Sequence, residues 1–339
     1  MGKGWNRLAV VAMMLASCLP LSAKEKQALS KTASIPEPDA LEWPLPWKPG
    51  MVLTYDQHYT SEEAKDNVSV RVTATDVVEL RMTPRAGGGW VQSWTGREPK
   101  LHSEGLPPQL HRMMAAAVES FRDLSIEVAL DAEGHFENIA NLPDVQPRFR
   151  RTLQGMFDGM LAEMKGKPGS DEAEVTFARM VDAMSAPAVL ESQLGETPAV
   201  YNFVSGGGLA PDRQYDYADE YANPLDGEMI ASANTLRLTR PADAAHLVDV
   251  HWTVRPDLDG ITGAITRFVD RTLQGQAQAQ DEKARAKMVA TLRDGAEFVT
   301  EVTYRVDPAS GIVQRMDMVQ RKRFGGKQET ERTALQLRR

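Results

Sequence analysis

The chain of 339 residues contains a single cysteine, Cys18. It can therefore form no internal disulfide, and no thiolate cluster is available for a metal. Stability has to come from a packed core, which about three hundred residues suffice to build. Catalytic signatures are missing as well. There is no Gly-x-Ser-x-Gly elbow, no His-Glu-x-x-His pair, no phosphate-cradling loop and no dinucleotide glycine pattern, so no enzyme class is indicated and no catalytic residue is assigned. Basic charge is in deficit, with 39 Lys and Arg against 47 Asp and Glu. A uniformly basic surface for nucleic acid is excluded by that balance. Beyond residue 23 no apolar run is long enough to span a bilayer.

Six histidines support little chemistry. His58, His102, His111 and His135 are isolated. Asp249 and His251, with His246 nearby, share one face of a strand and are geometrically suited to a metal or an acid–base pair; a wet polar row opposite buried valines accounts for them equally. Asp257-Leu258-Asp259-Gly260 has the look of a calcium loop. Arg255 occupies its first ligand position, however, and the closing glutamate is missing. Gly206-Gly207-Gly208 has no helix behind it and reads as a connector. No metal or other cofactor is expected.

The first 23 residues have a basic start (Lys3, Arg7), an apolar middle (Leu8 to Leu15) and small residues near the end, the layout of a secretory signal. Leu15-Ala16-Ser17-Cys18 resembles the bacterial lipobox, in which the cysteine is lipidated. Cleavage after Ala23 is the alternative. The expected setting is the periplasm, with a lipid on Cys18 as the only attachment to a membrane, the outer membrane. Residues 24–46 form a proline-rich tether, unable to be helical. Trp43 and Trp47 at its end are expected to pack on a sheet edge, with recognition of an envelope partner as the alternative.

Two stretches of the chain match in order. Leu80-Arg81-Met82-Thr83, Trp94-Thr95, then Ile126, Val128 and Leu130 before the Asp131–Gly134 turn correspond to Leu236-Arg237-Leu238-Thr239, Trp252-Thr253, then Val302, Tyr304 and Val306 before Asp307–Gly311. Self-similarity at long period marks repeated architecture, and period-two runs such as Val68 to Ala74 and Val248 to Val254 mark strands wet on one face. The expectation is an α+β fold of two related halves of antiparallel β-sheet, half-barrel-like, with inserted amphipathic helices. The first β-rich repeat would occupy 47–145, a helical connecting segment 146–205 and the second repeat 206–339. Whether the sheets close as one barrel or two is left open.

Within the helical segment, Pro147 to Lys165 and Asp171 to Ala186 carry apolar residues at helical spacing. Gly155 and Gly159 weaken the first helix unless something packs closely there. Methionines are adaptable apolar wall material. Met156, Phe157, Met160, Met164, Phe177, Met180 and Met184 are therefore the candidate lining of an apolar ligand site, with core filling as their alternative role. In outline such an arrangement resembles the half-barrel carriers and receptors of bacterial lipoprotein sorting, although no motif of that family is matched residue by residue. The resemblance implies a non-enzymatic envelope protein holding a lipid or acyl chain. A protein-interaction module of the envelope and a hydrolase of unrecognised type are the competing readings.

Overall fold

The computed structural model describes residues 39–338 apart from 66–67, 165, 167–169, 224–227, 273–289, 291–295 and 325. The expected signal segment with Cys18, the expected tether up to residue 38 and the run Gln274 to Gln280 lie outside the described residues, as do the side chains of Met164, Phe268 and Val269.

The first half runs β1 (Leu41–Glu42), β2 (Val52–Lys65), β3 (Val68–Pro84), β4 (Trp90–Gly96), β5 (Lys100–Glu104), α1 (Pro108–Ser120), β6 (Ser125–Leu130) and β7 (Phe136–Ile139). Three helices follow, α2 (Leu142–Met164), α3 (Ser170–Met184) and α4 (Pro187–Asn202). The second half runs β8 (Gly208–Leu209), β9 (Gln214–Ala222), β10 (Met229–Thr239), β11 (Val248–Pro256), α5 (Leu258–Thr272), β12 (Glu297–Val306), β13 (Val313–Phe324) and β14 (Lys327–Leu337).

All strands but β1 and β8 join one antiparallel sheet of twelve, in the order β7-β6-β4-β3-β2-β14-β13-β12-β11-β10-β9, with β5 also on β3. One sheet therefore serves both halves. Its seam is the pairing of β2 with β14, in which Tyr55 faces Leu337 from the opposite end of the chain. From one edge to the other, β7, β6, β4 and β3 repeat as β13, β12, β11 and β10. The register repeats too. Leu80 faces Trp94 and Trp94 faces Ile126, while Leu236 faces Trp252 and Trp252 faces Val302. The pairing shifts one residue before the Asp turn in both halves, at Ala129/Leu130 and at Arg305/Val306. The strands Ser125–Leu130 and Val302–Val306 thus hold equivalent places, and the fold is the α+β arrangement of two related sheet halves with inserted helices.

The two equivalent turns share a task. Gly134 and Gly311 both have positive φ, and a Cβ on either would collide with the Trp43–Gly50 strap, at Leu45 for Gly134 and at the Pro44 carbonyl for Gly311. Aspartate starts each turn for a local reason: Asp131 Oδ1 accepts the His135 amide at 2.8 Å and Asp307 Oδ1 the Ala309 amide at 3.0 Å. Trp43 and Trp47 are buried, and Trp43 Nε1 donates to the Val204 carbonyl at 2.7 Å. The strap plugs one end of the core between the turns.

α4 lies within the helical segment expected at 146–205 but has no amphipathic stretch to mark it. Pro187 sits in its first turn, Gly195 and Pro198 lie inside it, and its buried residues include Val189, Leu190, Val200, Tyr201 and Asn202. Its polar residues Glu191, Gln193 and Glu196 are half-buried rather than exposed, as suits a helix enclosed by the fold. Its Gly195 lies against the Phe136 ring, where a Cβ would come within 2.7 Å.

Candidate functional site

The sheet face covered by helices changes character from one end to the other. Toward the strap, Leu238, Val250, Tyr304, Met316 and Leu335 form one buried cross-strand row, which ends on the half-buried Gln57 of β2. Polar groups here are few and fixed. Tyr55 Oη lies 2.7 Å from Tyr201 Oη and donates to the Val313 carbonyl at 2.7 Å. Tyr304 Oη donates to the Val200 carbonyl at 2.7 Å. Burial, with Tyr201 close by, pushes the Tyr55 hydroxyl well above its ordinary pKa, so it stays a neutral donor. Phe203 stacks on Trp252 with centroids 3.9 Å apart. Gln92 Oε1 accepts from both Trp94 Nε1 and Asn202 Nδ2 at 2.7 Å.

The next row is Leu236, Trp252, Val302, Met318, Thr333 and Tyr59; beyond it comes Asn234, Val254, Thr300, Gln320, Glu331 and Ser61. The row after that sets Phe298, Lys322, Glu329 and Glu63 side by side. An apolar floor thus ends in a charged one.

Lys322 and Lys327 are only 5% and 2% exposed. Lys322 Nζ donates to Glu331 at 2.9 Å, and Lys327 Nζ lies 3.1 Å from both Glu63 and Glu329. Tyr59 Oη donates to Glu331 at 3.3 Å, and Gln320 Nε2 to Glu196 of α4 at 2.6 Å. Phe298 and Phe324 stack alongside, 5.8 Å apart, and Lys327 lies 5.9 Å from the Phe324 ring centre. Burial pushes the Glu331 carboxyl up, Lys322 pulls it back and Glu329 pushes it further, for a net rise. Glu329 ends below the usual carboxylate range because Lys322 and Lys327 outweigh its burial. Burial opposes the charged form of Lys322, and the Glu331 and Glu329 charges overcome it, raising its pKa.

α2 and α3 form a hairpin with a core of its own. Leu153, Phe157, Met180 and Val181 are buried between them, surrounded by Phe149, Met160, Phe177 and Met184. Phe157 and Phe177 stack at 4.9 Å. Of the expected lining residues, Phe157 and Met180 are thus buried between the two helices, Met160, Phe177 and Met184 are half-buried around them, and Met156 is half-buried on α2. This cluster is separate from the main core on the sheet. The hairpin is tied to α1 through Phe121 on Phe149, 5.8 Å apart, and Ser120 on Thr152, 2.9 Å apart. Gly159 is where Met113 of α1 comes closest, with its Cε 3.2 Å from where a Cβ would stand; Gly155 faces open space. The close-packing reason for a helical glycine holds at the first and not at the second.

Other candidates resolve into local structure. His251 lies on the sheet's other face between Thr239 and Thr303, 3.0 and 3.2 Å from their hydroxyls. Asp249 is held by Arg305 at 2.9 Å, and Asp257 accepts the Gly260 amide at 2.8 Å at the start of α5. Among the described residues no helix is long and apolar enough to cross a membrane.

No protein-family model matches the chain, and no curated protein does. Among solved structures, one concerned with lipid–protein interactions in lipovitellin aligns with 86% of this chain at 10% identity and TM-score 0.39, and this chain spans 25% of that one. DynF from the dynemicin biosynthesis pathway of Micromonospora chersina aligns with 90% of this chain and 86% of its own, at 8% identity and TM-score 0.18.

Proposed function

We propose that this is an exported, non-enzymatic envelope protein that binds a lipid or other acyl chain between the α2–α3 hairpin and the helix-covered face of the sheet. The observation that carries the reading is the division of the apolar interior into two cores. A hairpin that buries its own Leu153, Phe157, Met180 and Val181 keeps that burial when it moves off the sheet, so room for a chain is made at modest cost. The half-buried Met156, Met160, Phe177 and Met184, together with Met113 and Met114 of α1, supply flexible apolar surface that can follow a guest of variable shape. Cys18, as a lipidation site, would provide the only hold on the membrane.

The test is extraction and mass spectrometry of protein purified from its own envelope, combined with titration by N-phenyl-1-naphthylamine, a neutral apolar fluorophore. Co-purified acyl-chain species and saturable fluorescence enhancement are expected. Absence of both contradicts the proposal.

A further inference from the structure

We infer that the free edge of β9 is a docking strand, and that it takes, by strand addition, an extended basic segment of a partner protein with Lys or Arg at alternate positions. The inference goes beyond the acyl-chain reading and does not depend on it.

The two edges of the sheet differ. β7 is four residues long and lies against α4, whose Glu191 Oε1 accepts the Ile139 amide at 3.3 Å. β9 is nine residues long, ends the strand order and pairs only with β10 among the described residues. That pairing has no register shift, and the strand holds neither proline nor lysine. Of the devices that blunt a sheet edge, namely bulges, proline, lysine, a covering element or charge, β9 shows only charge, and of one sign.

The ladder fixes which groups are free. Asn223, just past β9, donates to the Glu228 carbonyl at 2.8 Å. The odd-numbered residues from Tyr215 to Tyr221 therefore bond β10, and the amides and carbonyls of Asp216, Ala218 and Glu220 point away from it. All three residues are exposed. A chain laid alongside gains an alternating set of backbone hydrogen bonds.

Charge names the occupant. Asp216, Asp219 and Glu220 form no ion pair among the described residues: Asp216 accepts from Gln214 and Thr235, Asp219 Oδ1 accepts the Glu220 amide, and Asp219 Oδ2 is buried with no hydrogen-bond partner. The basic residues beside the strand, Arg213 and Arg237, stand at its Gln214 end. A second copy is disfavoured, since antiparallel self-pairing about Ala218 sets each Asp216 opposite a Glu220, and parallel in-register pairing sets each acid against itself. Alternate Lys or Arg residues would meet Asp216 and Glu220 on one face. The residues between them would lie beside Tyr215 and Tyr217, half-buried on the other face, where β-branched side chains pair well with aromatic ones and a hydroxyl can donate to Asp219 Oδ2.

The full chain is titrated with an acetylated, amidated peptide Val-Lys-Val-Lys-Thr-Lys-Val and with its counterpart carrying Glu in place of Lys. Fluorescence anisotropy of the dye-labelled peptides gives affinity, and residue-resolved amide exchange gives the place. The lysine peptide is expected to bind at a concentration roughly tenfold below its glutamate counterpart and to slow exchange at Asp216, Ala218 and Glu220. Ala218→Pro removes one outward amide without breaking a bond to β10, and should weaken binding roughly tenfold with the unfolding midpoint unmoved. Asp216→Asn combined with Glu220→Gln should erase the preference for lysine. N-methylation of the lysine peptide at alternate residues keeps its charge and should abolish binding; it decides alone if Ala218→Pro lowers the midpoint. No binding, equal binding of the two peptides, binding that survives N-methylation, or slowed exchange away from β9 overturns the inference. So does a dimer of the chain alone that protects these same amides, because the occupant is then a second copy.

Discussion

Under the Trp43–Gly50 strap the sheet floor is a dense apolar layer, with Tyr55, Tyr201 and Tyr304 tied to one another or to backbone carbonyls. At the other end the same strands β13 and β14 turn lysines and glutamates to the same face. Both ends are buried, yet they are stabilised differently. Apolar packing is proportional to area and tolerates small shifts, whereas a buried ion network is strongly penalised once a single member is removed.

Substitutions at the two ends should separate these roles. Trp252→Ala removes the ring stacked on Phe203 from the apolar end and should cost about 3–5 kcal/mol in denaturant unfolding. Lys322→Met keeps the volume but leaves Glu331 and Glu329 with less positive charge around them. A loss of about 3 kcal/mol is expected, and an unchanged midpoint would show that the network is solvated rather than buried. Met180→Ala, in the hairpin core, should cost about 2–3 kcal/mol. Its effect should be confined to α2 and α3, with amide protection on β11 and β12 untouched; equal loss on the strands would merge the two cores into one.

The smallest effect concerns pH. A carboxyl with a raised folded pKa favours the folded state below its unfolded value, and that contribution is lost as pH rises through the folded value. Glu331 therefore weakens the fold on the alkaline side of the usual carboxylate range. Glu329, held low, withdraws its contribution as pH falls below that range. Glu331→Gln should flatten the alkaline-side decline while leaving the acid-side one, as read from unfolding midpoints across pH.

Much of the fold is legible in the residue pattern. The repeated Leu–Trp–aliphatic order survives as an identical cross-strand register, because strand periodicity and turn residues are local properties that tertiary context did not override. The single sheet is not legible, since its seam joins β2 to β14 from opposite ends of the chain. α4 falls within the helical segment expected at 146–205, but its own bounds escape notice because, interrupted by Gly195 and Pro198, it has no periodic apolar face. The charged floor escapes for a related reason. Lys and Glu on a strand read as the wet side, although the inward parity of Met316, Met318 and Phe324 on β13 also carries Gln320 and Lys322 inward. The methionine helices are legible as amphipathic, but not that their faces turn mainly toward each other.

Separation of the hairpin from the sheet is the central claim, and residue-resolved amide exchange, with and without a saturating acyl-chain ligand, tests it most directly. The account predicts that α2 and α3 exchange through a shared opening of lower free energy than the β11–β13 core, and that ligand slows the hairpin selectively. One common opening free energy for helices and sheet, unaltered by ligand, would contradict it.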